Sequence, residues 1–187
     1  MTVTTLDPST ALIVIDLQKG IVALPTAHPV AGVIANASAL ARAFRARGLP
    51  VVLVNVDGIP PGRTEQQRRF GDLPADWAEL IPELDRQPGD ILVTKKTPGA
   101  FTRTDLDARL RAEGVTQVVV VGVATSIGVE VTARQAFELG YNVTLASDAM
   151  TDLAADAHDW SLARVFPRIG ESGTTAEVIA LMEGEAA

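Results

Sequence analysis

The chain has 187 residues, a formal net charge of −7 and no cysteine. This length is sufficient for one domain with a substantial core, and we predict a single domain over residues 1–187. The acidic balance disfavours binding to nucleic acid or anionic membranes, and the lack of cysteine excludes disulfides and thiolate metal ligands.

Short apolar runs with several β-branched residues recur along the chain and predict buried strands. Three of them lead directly into a charged residue, namely Asp16, Asp57 and Lys95. A sixth strand near the carboxyl end is not clear from the local pattern. The five clear runs cover residues 11–15, 51–56, 91–94, 118–121 and 141–146.

Segments with apolar residues at helical spacing separate these strands. Gly48 and Gly140 follow two of the helices at the position where a helix commonly ends. Thr174 and Glu177 have the spacing of a capping box at the start of the last helix. Helices are predicted over 30–47, 104–113, 129–139, 153–164 and 174–182. The alternation of strands and helices predicts an α/β domain with a mostly parallel sheet of six strands and helices on both faces.

The stretch 118–130 combines the most apolar strand with the start of a helix. Gly122 ends the apolar run, and Thr125 or Ser126 is predicted to cap the helix with its hydroxyl group. Ligands of open α/β sheets bind where the carboxyl end of a strand meets a helix N-terminus. We therefore predict the functional site at this turn.

Asp16 and Lys95 also follow predicted parallel strands, so their side chains can converge with the turn that contains Gly128. A carboxylate beside an ammonium group is a usable proton-transfer pair, because each group shifts the pKa of the other. A structural ion pair at the sheet edge is an equally good interpretation of the spacing alone.

Four segments together resemble the isochorismatase-like hydrolases, also called the cysteine hydrolase superfamily. They are Ile15-Asp16-Leu17-Gln18, Lys95 with Ala100-Phe101, Gly122-Val123-Ala124-Thr125, and Phe166-Pro167-Arg168. The resemblance extends from about residue 8 to about residue 182. It implies a Rossmann-like three-layer sandwich and a small-molecule substrate, without a cofactor.

The resemblance also implies roles for individual residues. Asp16 and Lys95 match the catalytic pair of the family, with Lys96 as the less favoured alternative lysine. Gly128 occupies the nucleophile position, where most members have cysteine. The match also implies a non-proline cis peptide at Val123-Ala124. The substrate-binding residues that it implies are Val123, Ala124, Thr125, Ser126 and Phe101.

Without a thiol at position 128, an acyl-enzyme at that position is excluded. Isochorismatases proper also tend to have glycine there and hydrolyse a vinyl ether, which implies a hydrolase in which Asp16 is the general acid or base. The residues Ala124, Thr125 and Ser126 differ from the aromatic residue and histidine typical of those enzymes. A catalytically silent protein that binds a small molecule is the alternative. Thr125 and Ser126 are poor substitute nucleophiles, because no histidine is near them in sequence.

Other features carry less weight. His28 and His158 are predicted to be exposed, and the sequence Asp57-Gly58-Ile59 lacks the histidine of the Asp-x-His metal site found in nicotinamidase relatives, so no metal is expected. The arginines of the long connection after the second strand could clamp a substrate carboxylate or could simply be solvated. These arginines are Arg63, Arg68 and Arg69.

The resembled family commonly forms oligomers, so a homodimer or larger assembly is expected. The chain starts without the basic segment and long apolar run of a signal peptide, and no apolar run is long enough to cross a membrane. We therefore expect a cytoplasmic protein with no membrane partner.

Overall fold

The structure is a computed structural model that describes residues 3–65 and 73–184. Its strands are β1 (Thr10–Ile15), β2 (Val51–Val56), β3 (Ile91–Lys95), β4 (Gln117–Val123), β5 (Asn142–Thr151) and β6 (Glu171–Gly173). All pairings between these strands are parallel, in the order β3-β2-β1-β4-β5-β6. The predicted α/β class and the six-stranded parallel sheet are confirmed.

Helices cover both faces of the sheet and make it a three-layer structure. Every residue of β1 and β4 is buried, which explains why these strands are continuous apolar runs. On one face Ile13 and Ile15 pack in a cluster with the third and fourth helices. On the other face Leu12 and Val14 pack with the second and sixth helices. The helices are α1 (Lys19–Val22), α2 (Val30–Ala46), α3 (Leu106–Ala112), α4 (Glu130–Glu138), α5 (Ala155–Trp160) and α6 (Thr175–Glu183).

Most predicted helix ends agree with the structure. Gly48 and Gly140 have positive φ angles of 67° and 86° just beyond α2 and α4, a conformation that glycine adopts without steric cost. Thr174 and Glu177 form the predicted capping box of α6. No helix among residues 3–65 and 73–184 is long and apolar enough to cross a membrane.

Two of the strands predicted from sequence are shorter than the strands in the structure. β4 continues through Gly122, which has a φ of 118°. A Cβ on this residue would overlap the carbonyl oxygen of Ile15, so only glycine fits here. β5 extends beyond residue 146, because its register against β4 shifts between Val120 and Gly122 and pairing then resumes at Met150. An irregularity of this kind leaves no clear signal in the alternation of residues.

The predicted hydroxyl cap of the helix after β4 is wrong. A π-helical turn, Thr125–Val129, joins β4 to α4, and neither its N-cap residue Ala124 nor the N-cap residue of α4 makes a side-chain capping bond. The Thr125 hydroxyl group instead contacts His158, and the backbone N–H of Ser126 donates to Asp152. Tertiary contacts thus replace the local cap.

Candidate active site

The site lies where the strand order changes direction. The chain moves from β1 to β2 and β3 on one side and continues with β4, β5 and β6 on the other side. The crevice outside the carboxyl ends of β1 and β4 is therefore the expected ligand position in such a sheet. Asp16 follows β1, the turn with Gly128 follows β4, and Lys95 ends β3.

Asp16 and Lys95 form a buried ion pair. The Lys95 Nζ donates a hydrogen bond of 2.7 Å to the Asp16 Oδ2, and the two side chains are only 2% and 7% exposed. β2 lies between β3 and β1, so the long lysine side chain must cross its end. Lys96 is exposed, so the structure pairs the lysine that the resemblance favoured with Asp16.

The Asp16 carboxyl group has an unusual electrostatic environment. Burial raises its pKa from 3.8 to about 6, although the charge and hydrogen bond of Lys95 act in the opposite direction. Its second oxygen, Oδ1, is buried and has no hydrogen-bond partner among the residues that the structure describes. A carboxyl group with such a pKa can hold or release a proton near neutral pH.

The backbone fixes the direction of the Asp16 side chain. Asp16 has a φ of 52°, in the left-handed region that aspartate enters more readily than most residues. Its N–H donates to Val54 O at 2.9 Å, and its carbonyl accepts from the Gln18 N–H at 2.8 Å. The buried Gln18 side chain in turn bonds both backbone groups of Val56. These contacts hold the residue at the junction of β1 and β2.

Gly128 lies directly beside the ion pair. A Cβ at this position would lie 3.3 Å from Asp16 Oδ2 and 2.8 Å from Ile15 Cγ2. A cysteine side chain here would thus start next to the carboxylate, but it would first have to displace the buried Ile15. The missing side chain leaves space in front of Asp16.

A cavity of about 140 Å³ opens onto this space. Asp16, Lys95 and Gly128 all line it. Most of the remaining wall is apolar, including Ile21, Leu24, Val56, Ile59, Ile127 and Leu153. The structure thus brings the three predicted catalytic positions together in one pocket.

The predicted binding residues divide into two groups. Val123 and Ala124 line the cavity, and the peptide bond between them is cis, as predicted. Thr125, Ser126 and Phe101 are not part of the cavity wall. Phe101 packs on the core cluster that includes α3 and α4, with its ring 6.0 Å from that of Tyr141.

His158 is buried, so the prediction from sequence that it is exposed is wrong. Its Nδ1 lies 2.8 Å from Thr125 Oγ1, and its ring centroid lies 4.7 Å from that of the exposed His28. Burial, and secondarily His28, lowers the pKa of His158, while Asp159 and Asp152 oppose this shift. Thr125 therefore has a histidine neighbour after all. However, Thr125 is fully buried outside the cavity wall, so it is not placed to attack a ligand there.

The arginine loop is described only in part. Arg63 is exposed, whereas Arg68 and Arg69 lie outside the described residues. Within the described ranges, no group of three or more histidine, cysteine or acidic side chains could hold a metal ion.

Comparison with known proteins agrees with this architecture. The isochorismatase domain matches residues 10–177. An uncharacterized isochorismatase family protein, YwoC of Bacillus subtilis, is 45% identical over 177 residues, which is 91% of this chain and 92% of that protein. The ureidoacrylate amidohydrolase RutB of Rhizobium rhizogenes is 36% identical over 81% of this chain and 74% of its own length.

A solved structure shows the same fold. An isochorismatase family protein from Burkholderia thailandensis is 42% identical and superposes with a TM-score of 0.93, over 97% of this chain and all of that one. Sequence and fold agree over nearly the entire length. The chain therefore belongs to the isochorismatase family of hydrolases.

Proposed function

We propose that this protein hydrolyses a small metabolite without a covalent intermediate, with Asp16 as general acid and then general base. One observation carries the proposal: the buried Asp16 carboxyl group keeps one oxygen, Oδ1, without a hydrogen-bond partner among the described residues, while its other oxygen, Oδ2, lies beside Gly128. A buried polar atom without a hydrogen-bond partner is costly for the fold, and a ligand or a water that bonds it removes this cost.

A vinyl ether is the substrate type that suits this arrangement. Protonated Asp16 would donate its proton to the terminal carbon of the double bond, which leaves an oxocarbenium ion stabilised by the ether oxygen. Water adds to this ion while Asp16 takes up a proton from the water, and the resulting hemiacetal or hemiketal separates into an alcohol and a carbonyl compound. The Lys95 ammonium group, which bonds Asp16 Oδ2, stabilises the carboxylate after the first transfer.

The experiment compares wild type with Asp16→Asn on vinyl ethers, amides and ureido compounds, the last because one relative is named as a ureidoacrylate amidohydrolase. General acid catalysis contributes about a hundredfold or more, so kcat should fall by at least that factor. The acid form of Asp16 disappears as pH rises through about 6, so kcat/KM for a vinyl ether should fall over the same range.

Asp90→Asn is the matched control. Asp90 also forms an ion pair, which is partly buried, with its Oδ2 2.7 Å from Arg45, but it precedes β3 at the opposite end of the strand from Lys95. This variant should lose stability and keep kcat. Full turnover in Asp16→Asn, or a kcat/KM that increases through pH 6, would contradict the acid role.

The alternative is a protein that binds a small molecule without turnover. The glycine at position 128 favours it, since the family nucleophile is missing. Ligand-induced stabilisation of wild type without product formation from any substrate class would support this alternative over the hydrolase.

A further inference from the structure

The composition of the cavity wall restricts the ligand. Among the described lining residues only Asp16 and Lys95 are charged, and only Thr97 adds a polar uncharged side chain. The two charged groups are bonded to each other at 2.7 Å, so together they present almost no net charge to a ligand while Asp16 is ionised. The other lining residues are apolar or glycine.

Three exposed apolar side chains come together at this cavity. Leu24, Ile59 and Leu153 are 40%, 47% and 42% exposed, although large apolar residues are usually buried. They come from separate loops that follow α1, β2 and β5. Exposed apolar residues that converge on one concave site indicate contact with an apolar ligand group.

Among the described lining residues, a charged ligand group finds no charged partner that is not already paired. An anion next to Lys95 would share the ammonium group with the Asp16 carboxylate only 2.7 Å away. An anion elsewhere in the cavity would lie against Leu24, Ile127 or Leu153. Burial of an unpaired charge costs several kcal/mol, which weakens the binding of a charged ligand relative to an uncharged one of the same size.

We infer that the substrate of this site is a small uncharged molecule whose reactive group meets Asp16 and Lys95 and whose apolar substituent contacts the rim formed by Leu24, Ile59 and Leu153. The inference rests on the proposed function and specifies its substrate class. A single water requires about 10–15 Å³ of such space, so the 140 Å³ cavity accepts roughly ten non-hydrogen atoms. Lys95 forms only one hydrogen bond in the described structure and has three donors, so it can also bond a neutral ether or carbonyl oxygen.

The test measures binding rather than turnover, with three saturated ethers of equal chain length that end in an isopropyl, a carboxamide or a carboxylate group. These probes have no reactive double bond, so their order of affinity does not depend on whether a vinyl ether is hydrolysed. By calorimetry at neutral pH, wild type should bind the isopropyl ether at least tenfold more tightly than the carboxylate, with the carboxamide between them.

Leu24→Arg should reduce or reverse this preference, because it places a cation at the rim. Leu139→Arg is the matched control: Leu139 is 39% exposed but directly follows α4 and does not line the cavity, so the preference should stay unchanged. Equal or tighter binding of the carboxylate by wild type would overturn the inference. A preference that Leu24→Arg leaves intact would also overturn it.

Discussion

At the scale of single residues, Gly128 determines how much space lies in front of the Asp16 carboxyl group. The sequence alone predicted that Asp16, Lys95 and Gly128 converge, because each follows or ends a parallel strand. It could not predict that Asp16 Oδ1 lacks a partner, since this depends on which groups surround the side chain in three dimensions. Nor could it predict that Ile15 Cγ2 lies only 2.8 Å from the position that a Cβ at residue 128 would take.

Gly128→Ala should therefore affect both stability and activity. The new Cβ would lie 2.8 Å from the buried Ile15 Cγ2, so the substitution should lower the free energy of unfolding by about 1–3 kcal/mol. It would also fill the space beside Asp16 and should reduce kcat for any substrate that wild type turns over. Chemical denaturation and steady-state kinetics measure the two effects.

Gly32→Ala is the control for this substitution. Gly32 lies in α2, and a Cβ there would meet nothing within 4 Å, so alanine should stabilise the fold by about 0.5–1 kcal/mol and leave turnover unchanged. If Gly128→Ala behaved like Gly32→Ala, the proposed role of the open space would be wrong.

At the scale of elements, the turn after β4 shows where local sequence stops being informative. Strand and helix were predictable from apolar periodicity, but the contacts that fix the turn come from the segment that follows β5. His158 lies in α5 and contacts Thr125, while Asp152 accepts the Ser126 N–H at 2.7 Å. The local sequence of a short polar helix does not indicate that one of its residues, such as His158, packs against a turn that is distant in the chain.

The Thr125–His158 hydrogen bond should couple the turn to α5. Thr125→Val and His158→Phe each leave a buried polar group unpaired, which costs about 1–3 kcal/mol in the free energy of unfolding. The double variant should lose less than the sum of the two, because neither partner is then left alone. Denaturant unfolding of the four proteins gives the coupling energy.

Thr132→Val is the matched control, because Thr132 is equally buried but accepts its hydrogen bond from the Ala100 N–H. Its effect should add to that of His158→Phe.

The folded-state pKa of His158 is lowered, so its contribution to stability is fully present above about pH 6.5 and declines as pH falls. His158→Phe should remove this decline. In the unfolding experiment, additive losses of stability for Thr125→Val and His158→Phe would show that the two residues are not coupled.

At the scale of the whole molecule, the sequence predicted the α/β class and the parallel sheet because buried parallel strands are continuous apolar runs. β6 was not clear because it has only three residues, of which one is a glycine and one a serine. The single domain, the homodimer or larger oligomer and the cytoplasmic location remain predictions, since none of them follows from the fold of one chain.

The pKa of Asp16 indicates how far the Asp16–Lys95 pair contributes to the stability of the fold. The raised pKa means that folded Asp16 retains its proton more strongly than unfolded Asp16. Its contribution to stability is therefore fully present below about 3.8 and is lost as pH rises through about 6, a loss of about 3 kcal/mol. An ion pair selected for stability would not behave in this way near neutral pH.

Replacement of both partners by uncharged residues, Asp16→Asn with Lys95→Met, should therefore abolish turnover but not stability, since asparagine also tolerates the left-handed φ of residue 16. Removal of both partners of a buried ion pair relieves the cost of desolvating two charges and often leaves a protein equally stable. At pH 7.5 the double variant should unfold at the same or a higher denaturant concentration than wild type, and it should lack the loss of stability between pH 4 and about 6. Lys95→Met alone serves as the control, because the carboxyl group then loses the two interactions that lower its pKa, and the midpoint of its titration should move above 6. A double variant clearly less stable than wild type at pH 7.5 would favour the structural ion pair instead, because the pair would then contribute to the fold and its burial would need no functional explanation.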